Sequence, residues 1–93
     1  MAFSAFESLT VSSTAVSFTA ATEAGRNQAF ITVETNAVRY RADGTDPSAT
    51  VGHVLEVGDV LELEDRDEID KTSFIARDAG DATLSISYGV GRK

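Results

Sequence analysis

Ala82-Thr83-Leu84-Ser85-Ile86-Ser87-Tyr88 places an apolar side chain at every second position with a hydroxyl between each pair. Neighbouring side chains on an extended backbone point to opposite faces, so this period of two predicts a half-buried strand. Thr72–Arg77 precedes it across Asp78-Ala79-Gly80-Asp81, a turn sequence, and the two stretches are expected to pair as a hairpin. Phe74 and Ile75 are adjacent there. One of them should therefore be covered by something other than the main core.

The same logic extends upstream. A three-residue loop at Gly58-Asp59-Val60 gathers Leu55, Val57, Leu61 and Leu63 inward and leaves Glu56, Glu62 and Glu64 outside, whereas a two-residue loop would mix Leu and Glu. Pairing Phe30–Thr35 with Val38–Ala42 across Asn36-Ala37 sets Ile31, Val33 and Thr35 opposite Ala42, Tyr40 and Val38, and sets Glu34 opposite Arg39. A slip of one residue would bury Arg39 and Arg41, which fixes the register. Between these units, Asp43-Gly44-Thr45-Asp46-Pro47-Ser48 reads as a loop. Glu64–Lys71 is too polar for a core element and reads as one helical turn or an exposed loop pinned by Ile69.

Residues 1–28 differ from the rest. Ala, Ser and Thr dominate them, with Phe3, Phe6 and Phe18 as the large aromatics. They read as an arm, Met1 to about Ser8, followed by a weak hairpin across Ser13-Thr14 that sets Val11 opposite Val16 and Leu9 opposite Phe18. Ala20–Asn27 then forms a loop. The fold expected is all-β: a small antiparallel β-sandwich or jelly-roll-like barrel of about eight short strands with an N-terminal arm. Residues 1–93 make one domain, with the main sandwich in 29–89.

A chain of 93 residues buries only about 60–65% of the surface its unfolded form exposes. So thin a core favours burial through self-association. No apolar stretch approaches the length of a membrane span, and the N-terminus lacks the basic and apolar regions of a signal peptide. The net charge of −7 lies beyond Ala42, and Glu56, Asp59, Glu62, Glu64, Asp65, Asp67, Glu68 and Asp70 stand against Arg66 alone. Such a stretch repels phosphate backbones, so no nucleic-acid partner is expected.

Chemistry-bearing residues are few: no cysteine, no tryptophan and one histidine, His53. His53 shares parity with Leu55 and reads as a half-buried residue at the mouth of the sandwich. The run Gly52-His53 to Gly58-Asp59 resembles a cupin strand pair, but cupin metal sites need two or three histidines and a glutamate. Asp65, Asp67 and Asp70 do not fit an EF-hand, because Asp70 and Ala76 stand where glycine and glutamate are required. A weak cation site at Asp43 and Asp46 competes with plain turn chemistry. No G-x-S-x-G elbow occurs and His53 has no orienting partner. No catalytic residue, cofactor or metal is expected, and the protein reads as a non-enzyme.

Val38-Arg39-Tyr40-Arg41-Ala42-Asp43-Gly44-Thr45-Asp46-Pro47, the following Gly52-His53, Gly58-Asp59-x-Leu61-x-Leu63 and the ending Ser85-Ile86-Ser87-Tyr88-Gly89 resemble small virion proteins of tailed bacteriophages. The likeness spans Phe30 to Gly89. It implies a β-fold building block of a phage particle: a capsid decoration (cement) protein, or a neck or tail component. Partners are then other copies of itself, with a trimer favoured, and virion proteins such as the major capsid protein, with Phe3, Phe6, Phe74 and Ile75 as contact candidates. The virion is the expected location, after synthesis in the host cytoplasm. A small-ligand or glycan-binding module, with Tyr40 and Tyr88 lining a pocket, is the reading from another class.

Overall fold

The computed structural model describes residues 2–19, 25–78 and 80–90. Among the described residues eight strands and a short helix follow one another: β1 (Ala2–Val11), β2 (Val16–Ser17), β3 (Gln28–Thr35), β4 (Val38–Arg41), β5 (His53–Leu55), β6 (Val60–Leu63), α1 (Arg66–Lys71), β7 (Ser73–Ala76) and β8 (Ala82–Val90). Sheet A has the order β1-β8-β3-β6 and sheet B the order β2-β7-β4-β5. Every pairing is antiparallel. Neither sheet closes on itself, so the architecture is a small all-β sandwich of two open sheets. Chain neighbours lie in opposite sheets at every step except β4 to β5, which is the strand order of a jelly roll.

That order corrects each expected hairpin while keeping most of its faces; Thr35, Ala42 and Val57, expected inward, are exposed. Ala82, Leu84, Ile86 and Tyr88 are fully buried, but β8 pairs with β1 and β3, and β7 lies in the other sheet. Leu55 and Leu63 point inward, yet β5 and β6 belong to different sheets, and Val57 is 56% exposed. Ile31, Val33 and Val38 are core residues, yet β3 and β4 do not pair, so no cross-strand contact joins Glu34 to Arg39. Val11 and Phe18 are likewise buried, with Leu9 and Val16 packed on them, although β1 and β2 sit in opposite sheets. The physical reason is common to all four cases: a period of two fixes the face a side chain takes and is silent about which strand lies alongside.

The expected arm is also corrected. β1 runs antiparallel to β8 from Ala2↔Val90 to Val11↔Ala82, with a shift between Phe3 and Ala5. Ala5 and Leu9 pack against the core. Glu7 also points inward, and its carboxylate is satisfied: it accepts a short hydrogen bond from the buried Tyr88 hydroxyl and others from Thr19 Oγ1 (2.5 Å) and Thr19 N (3.2 Å).

Rings fill the middle of the sandwich. Phe18 meets Phe74 and Tyr88 edge-on, at centroid distances of 5.4 and 5.7 Å, an arrangement the ring quadrupoles favour. Four crossings between sheets gather at one end, where Arg77 N donates to Ala37 O (3.1 Å), Ala76 N to Ser12 O (2.9 Å) and Asn36 Nδ2 to Asp81 O (2.8 Å). Asn36 takes the left-handed conformation (φ 58°) that the tight Asn36-Ala37 crossing needs. The Arg77 guanidinium adds Glu56 (2.6 Å) and Asp78 (3.0 Å), and those carboxylates hold it even more firmly protonated than usual, Asp78 first. At the other end Asp65 caps α1 by accepting from Asp67 N, and Ile69 anchors the helix to the core as its sole buried residue.

Candidate functional site

Contact, more than chemistry, is what the sequence leads one to look for, so the two outer faces of the sandwich are the places to examine. The outer face of sheet B is built by Ser73 and Ile75 of β7, Arg39 and Arg41 of β4 and Val54 of β5. The β4–β5 loop folds back across it. Arg39 donates from Nε to Ala49 O (2.9 Å) and from Nη1 to Gly52 O (2.8 Å), Ser73 Oγ donates to Asp46 Oδ1 (3.3 Å), and Gly44 N donates to Lys71 O (3.1 Å). Gly52 (φ 138°) lies so close that a Cβ there would stand 3.1 Å from Tyr40 O and 3.2 Å from Pro47 Cβ. Ile75 is 9% exposed under this cover. The residue that needed something other than the core is thus sheltered within its own chain.

Phe74, paired with Tyr40 and Val16, is fully buried at the centre of the core. It cannot meet a partner, which corrects its place among the contact candidates; Ile75 leaves that group for the reason just given. Phe3 pairs with Gly89 in the β1 ladder, and its side chain lies outside the described residues. Of the candidates whose side chains are described, Phe6 is the one that presents an open apolar surface, 62% exposed. The four candidates do not form one patch, because Phe6 is on sheet A and Phe74 and Ile75 are on sheet B.

The outer face of sheet A is different in kind. Register places Phe6, Ser87, Phe30 and Glu62 in one row across the four strands, Ser8, Ser85, Thr32 and Val60 in the next, and Thr10, Thr83 and Thr35 in a third. Away from Glu62 and Glu34 this is an uncharged sheet of hydroxyls with two phenylalanines. Val60 is 50% exposed at its far edge. The single-residue signal for this face was present in the sequence, as Ser and Thr at alternate positions, but assembling rows required the true strand order.

Polar clusters elsewhere are spoken for. Asp43 accepts from Arg41 (2.5 Å) and from Thr45 N (3.3 Å), while Asp46 accepts from Ser73. The Arg41 guanidinium holds the Asp43 carboxyl below the usual carboxylate range. Asp65, Asp67 and Asp70 serve α1, as its cap and as partners of Lys71 and Arg66. Among the described residues no group of three acids, histidines or cysteines is placed to hold a metal ion. His53 is exposed, its ring 5.3 Å from that of Tyr40, in a shallow cleft of about 290 Å³ with Arg41 and Asp43. Tyr88 is fully buried and offers no surface to a ligand from solvent.

No protein-family model, curated protein or solved structure matches the chain.

Proposed function

We propose that the protein is a non-enzymatic structural component of a tailed-phage particle, a capsid decoration (cement) protein or a close equivalent. On this reading it works by multivalent contact as a symmetric homo-oligomer seated on other virion proteins, the major capsid protein among them. The observation that carries the reading is the outer face of sheet A. A domain with a net charge of −7 keeps one broad face almost free of charge and sets the exposed Phe6 at its edge. Uncharged faces with an aromatic anchor suit association, since no ion has to be desolvated. The likeness of Phe30 to Gly89 to phage virion proteins points the same way, and jelly rolls are at home in viral shells as well as in lectins and cupins. A weak contact repeated over many symmetric positions gives firm attachment without a large interface.

The test is the copy number of the protein in purified particles, by quantitative mass spectrometry against the shell subunit. A ratio near that of the shell supports a capsid role. A few copies per particle moves the protein to the neck or tail, and its absence from particles overturns the proposal. The Tyr40–His53 cleft favours one other reading, a small-ligand or glycan module; chemical-shift changes confined to Tyr40, Arg41 and His53 on adding a sugar panel would support it.

A further inference from the structure

We infer that two copies of this chain join edge to edge through β1, antiparallel and about a two-fold axis at Ser8, making sheet A one continuous sheet of eight strands. The inference rests on the self-association in the reading above and does not depend on the virion role. A sheet edge presents backbone N–H and C=O groups in series, and only another strand satisfies them in series. Three of the four edges here are blunted by brevity: β2 has two residues, β5 three and β6 four. The fourth, β1, has ten. Among the described residues its one strand partner is β8.

Charge limits where a second copy can fit. Two chains of −7 repel each other wherever the acidic stretch from Glu56 to Asp70 takes part, and β6 carries Glu62. β1 has one charged residue, Glu7, which points inward and is held by Tyr88 and Thr19. Charge thus disfavours β6, brevity leaves β2 and β5 little to pair with, and β1 is the long edge along which an identical partner can approach without like charges meeting.

Register follows from the pleat. A two-fold axis must pass through a residue position for both copies to keep their inner faces on the same side. The segment free of irregularity runs from Ala5 to Val11. Ser8 is its midpoint, so an axis there pairs the whole segment with itself. Phe6 then faces Thr10 of the second copy on the outer surface, twice by symmetry, and the two Ser8 hydroxyls meet; aromatic with β-branched, and hydroxyl with hydroxyl, are favourable cross-strand pairs. On the inner side Glu7 faces Leu9 and Ala5 faces Val11. An axis at Glu7 would set the two carboxylates opposite each other, and one at Phe6 would run the ladder into the bulge between Phe3 and Ala5.

The full chain, which has no cysteine, allows a clean test. Light scattering at micromolar concentration should give a dimer. Ser8→Cys, nearly isosteric, should form a covalent dimer under mild oxidation, because residues at the axis lie opposite themselves. Phe6→Cys alone should not, since its two copies are displaced by four residues, about 13 Å, beyond the ~7 Å between Cα atoms that a disulfide tolerates. Mixing Phe6→Cys with Thr10→Cys protein should restore cross-linking. Ser8→Lys, on an exposed position, should yield a monomer with an unchanged far-ultraviolet spectrum. A wild-type monomer, a trimer, or cross-linking at Phe6 with none at Ser8 would overturn the inference. Particle copy number would be untouched by any of these results, so failure here is distinguishable from failure of the virion role.

Discussion

Sheets A and B face the same difficulty and handle it differently. Each has apolar side chains on the face turned away from the core: Ile75 and, at the β5 edge, Val54 on B, Phe6 and Phe30 on A. On B the chain itself supplies the cover, a loop drawn across the sheet by the Arg39 guanidinium, and Ile75 is left 9% exposed. On A Phe30 is half-buried, but Phe6 stays 62% exposed. The contrast shows which outward apolar side chains the chain shelters itself and which it leaves open. It also separates buried from open positions more sharply than hydrophobicity does, since Phe74 and Phe6 are the same amino acid in opposite surroundings.

The largest expected effect breaks or upholds that separation directly. Phe74→Ala opens a cavity beneath Phe18 and Tyr40 and should cost about 3–5 kcal/mol in denaturant titration. Phe6→Ala removes a ring that mostly faces solvent and should change the stability of the monomer by no more than about 0.5 kcal/mol. Equal losses from the two substitutions would mean that Phe6 belongs to the core and that the open face of sheet A is misjudged.

Arg39 sharpens the other half of the comparison. Its two hydrogen bonds to loop carbonyls come from a charged donor, and such bonds contribute about 1.5–3 kcal/mol, so Arg39→Ala should destabilise by an amount in that range. Arg39→Lys should restore only part of it, because one ammonium cannot reproduce the fork that spans Ala49 and Gly52. Faster proteolysis within residues 43–52 should accompany both losses. An Arg39→Ala protein as stable as wild type would show that the loop lies over Ile75 without being held there.

Arg39 also shows how far the sequence could be read. Its outward direction on an alternating strand was legible, as were the inward directions of Ala82, Leu84, Ile86, Tyr88, Leu55, Leu61 and Leu63 and the pinning of the short helix by Ile69. Its partner was not, because Glu34 is the right neighbour for a hairpin and the wrong one for a crossing between sheets. A short connection such as Asn36-Ala37 serves either purpose. Two awkward fits were the available warning: Ser13-Thr14 makes a poor hairpin turn, and Gly58-Asp59 needed an extra loop residue to sort Leu from Glu. Both are crossings in the fold. The role of β1 was hidden by its Ala- and Ser-rich composition, and the acceptance of the Tyr88 hydroxyl by its inward Glu7 joins positions 81 residues apart and leaves no local trace.

The smallest effect expected is at the rim of the covered face, where Asp43 meets Arg41. The hydrogen bond from the Arg41 guanidinium, and after it the one from Thr45 N, lower the Asp43 pKa in the folded protein. The unfolded chain has no such partners and titrates near pH 3.9. A carboxyl whose folded pKa is the lower of the two binds fewer protons in the folded state, so its contribution to stability is complete above the unfolded value. That contribution is lost as the pH falls from there through the folded value. At neutral pH the pair should therefore be insensitive to pH, and its loosening should begin only in acid below the ordinary carboxylate range. Because both side chains reach solvent, the consequence is local: the start of the β4–β5 loop should free itself while the sandwich stays folded. Following the Asp43 carboxyl carbon and the Thr45 amide by NMR during acidification should give one shared midpoint, below that of an unstructured aspartate. Arg41→Ala should bring the midpoint back up, and Asp43→Asn should abolish the Thr45 transition. A Thr45 amide that moves at the same pH in the Asp43→Asn protein would show that the loop answers to another group, and that the cover over sheet B is secured by Arg39 without help from its rim.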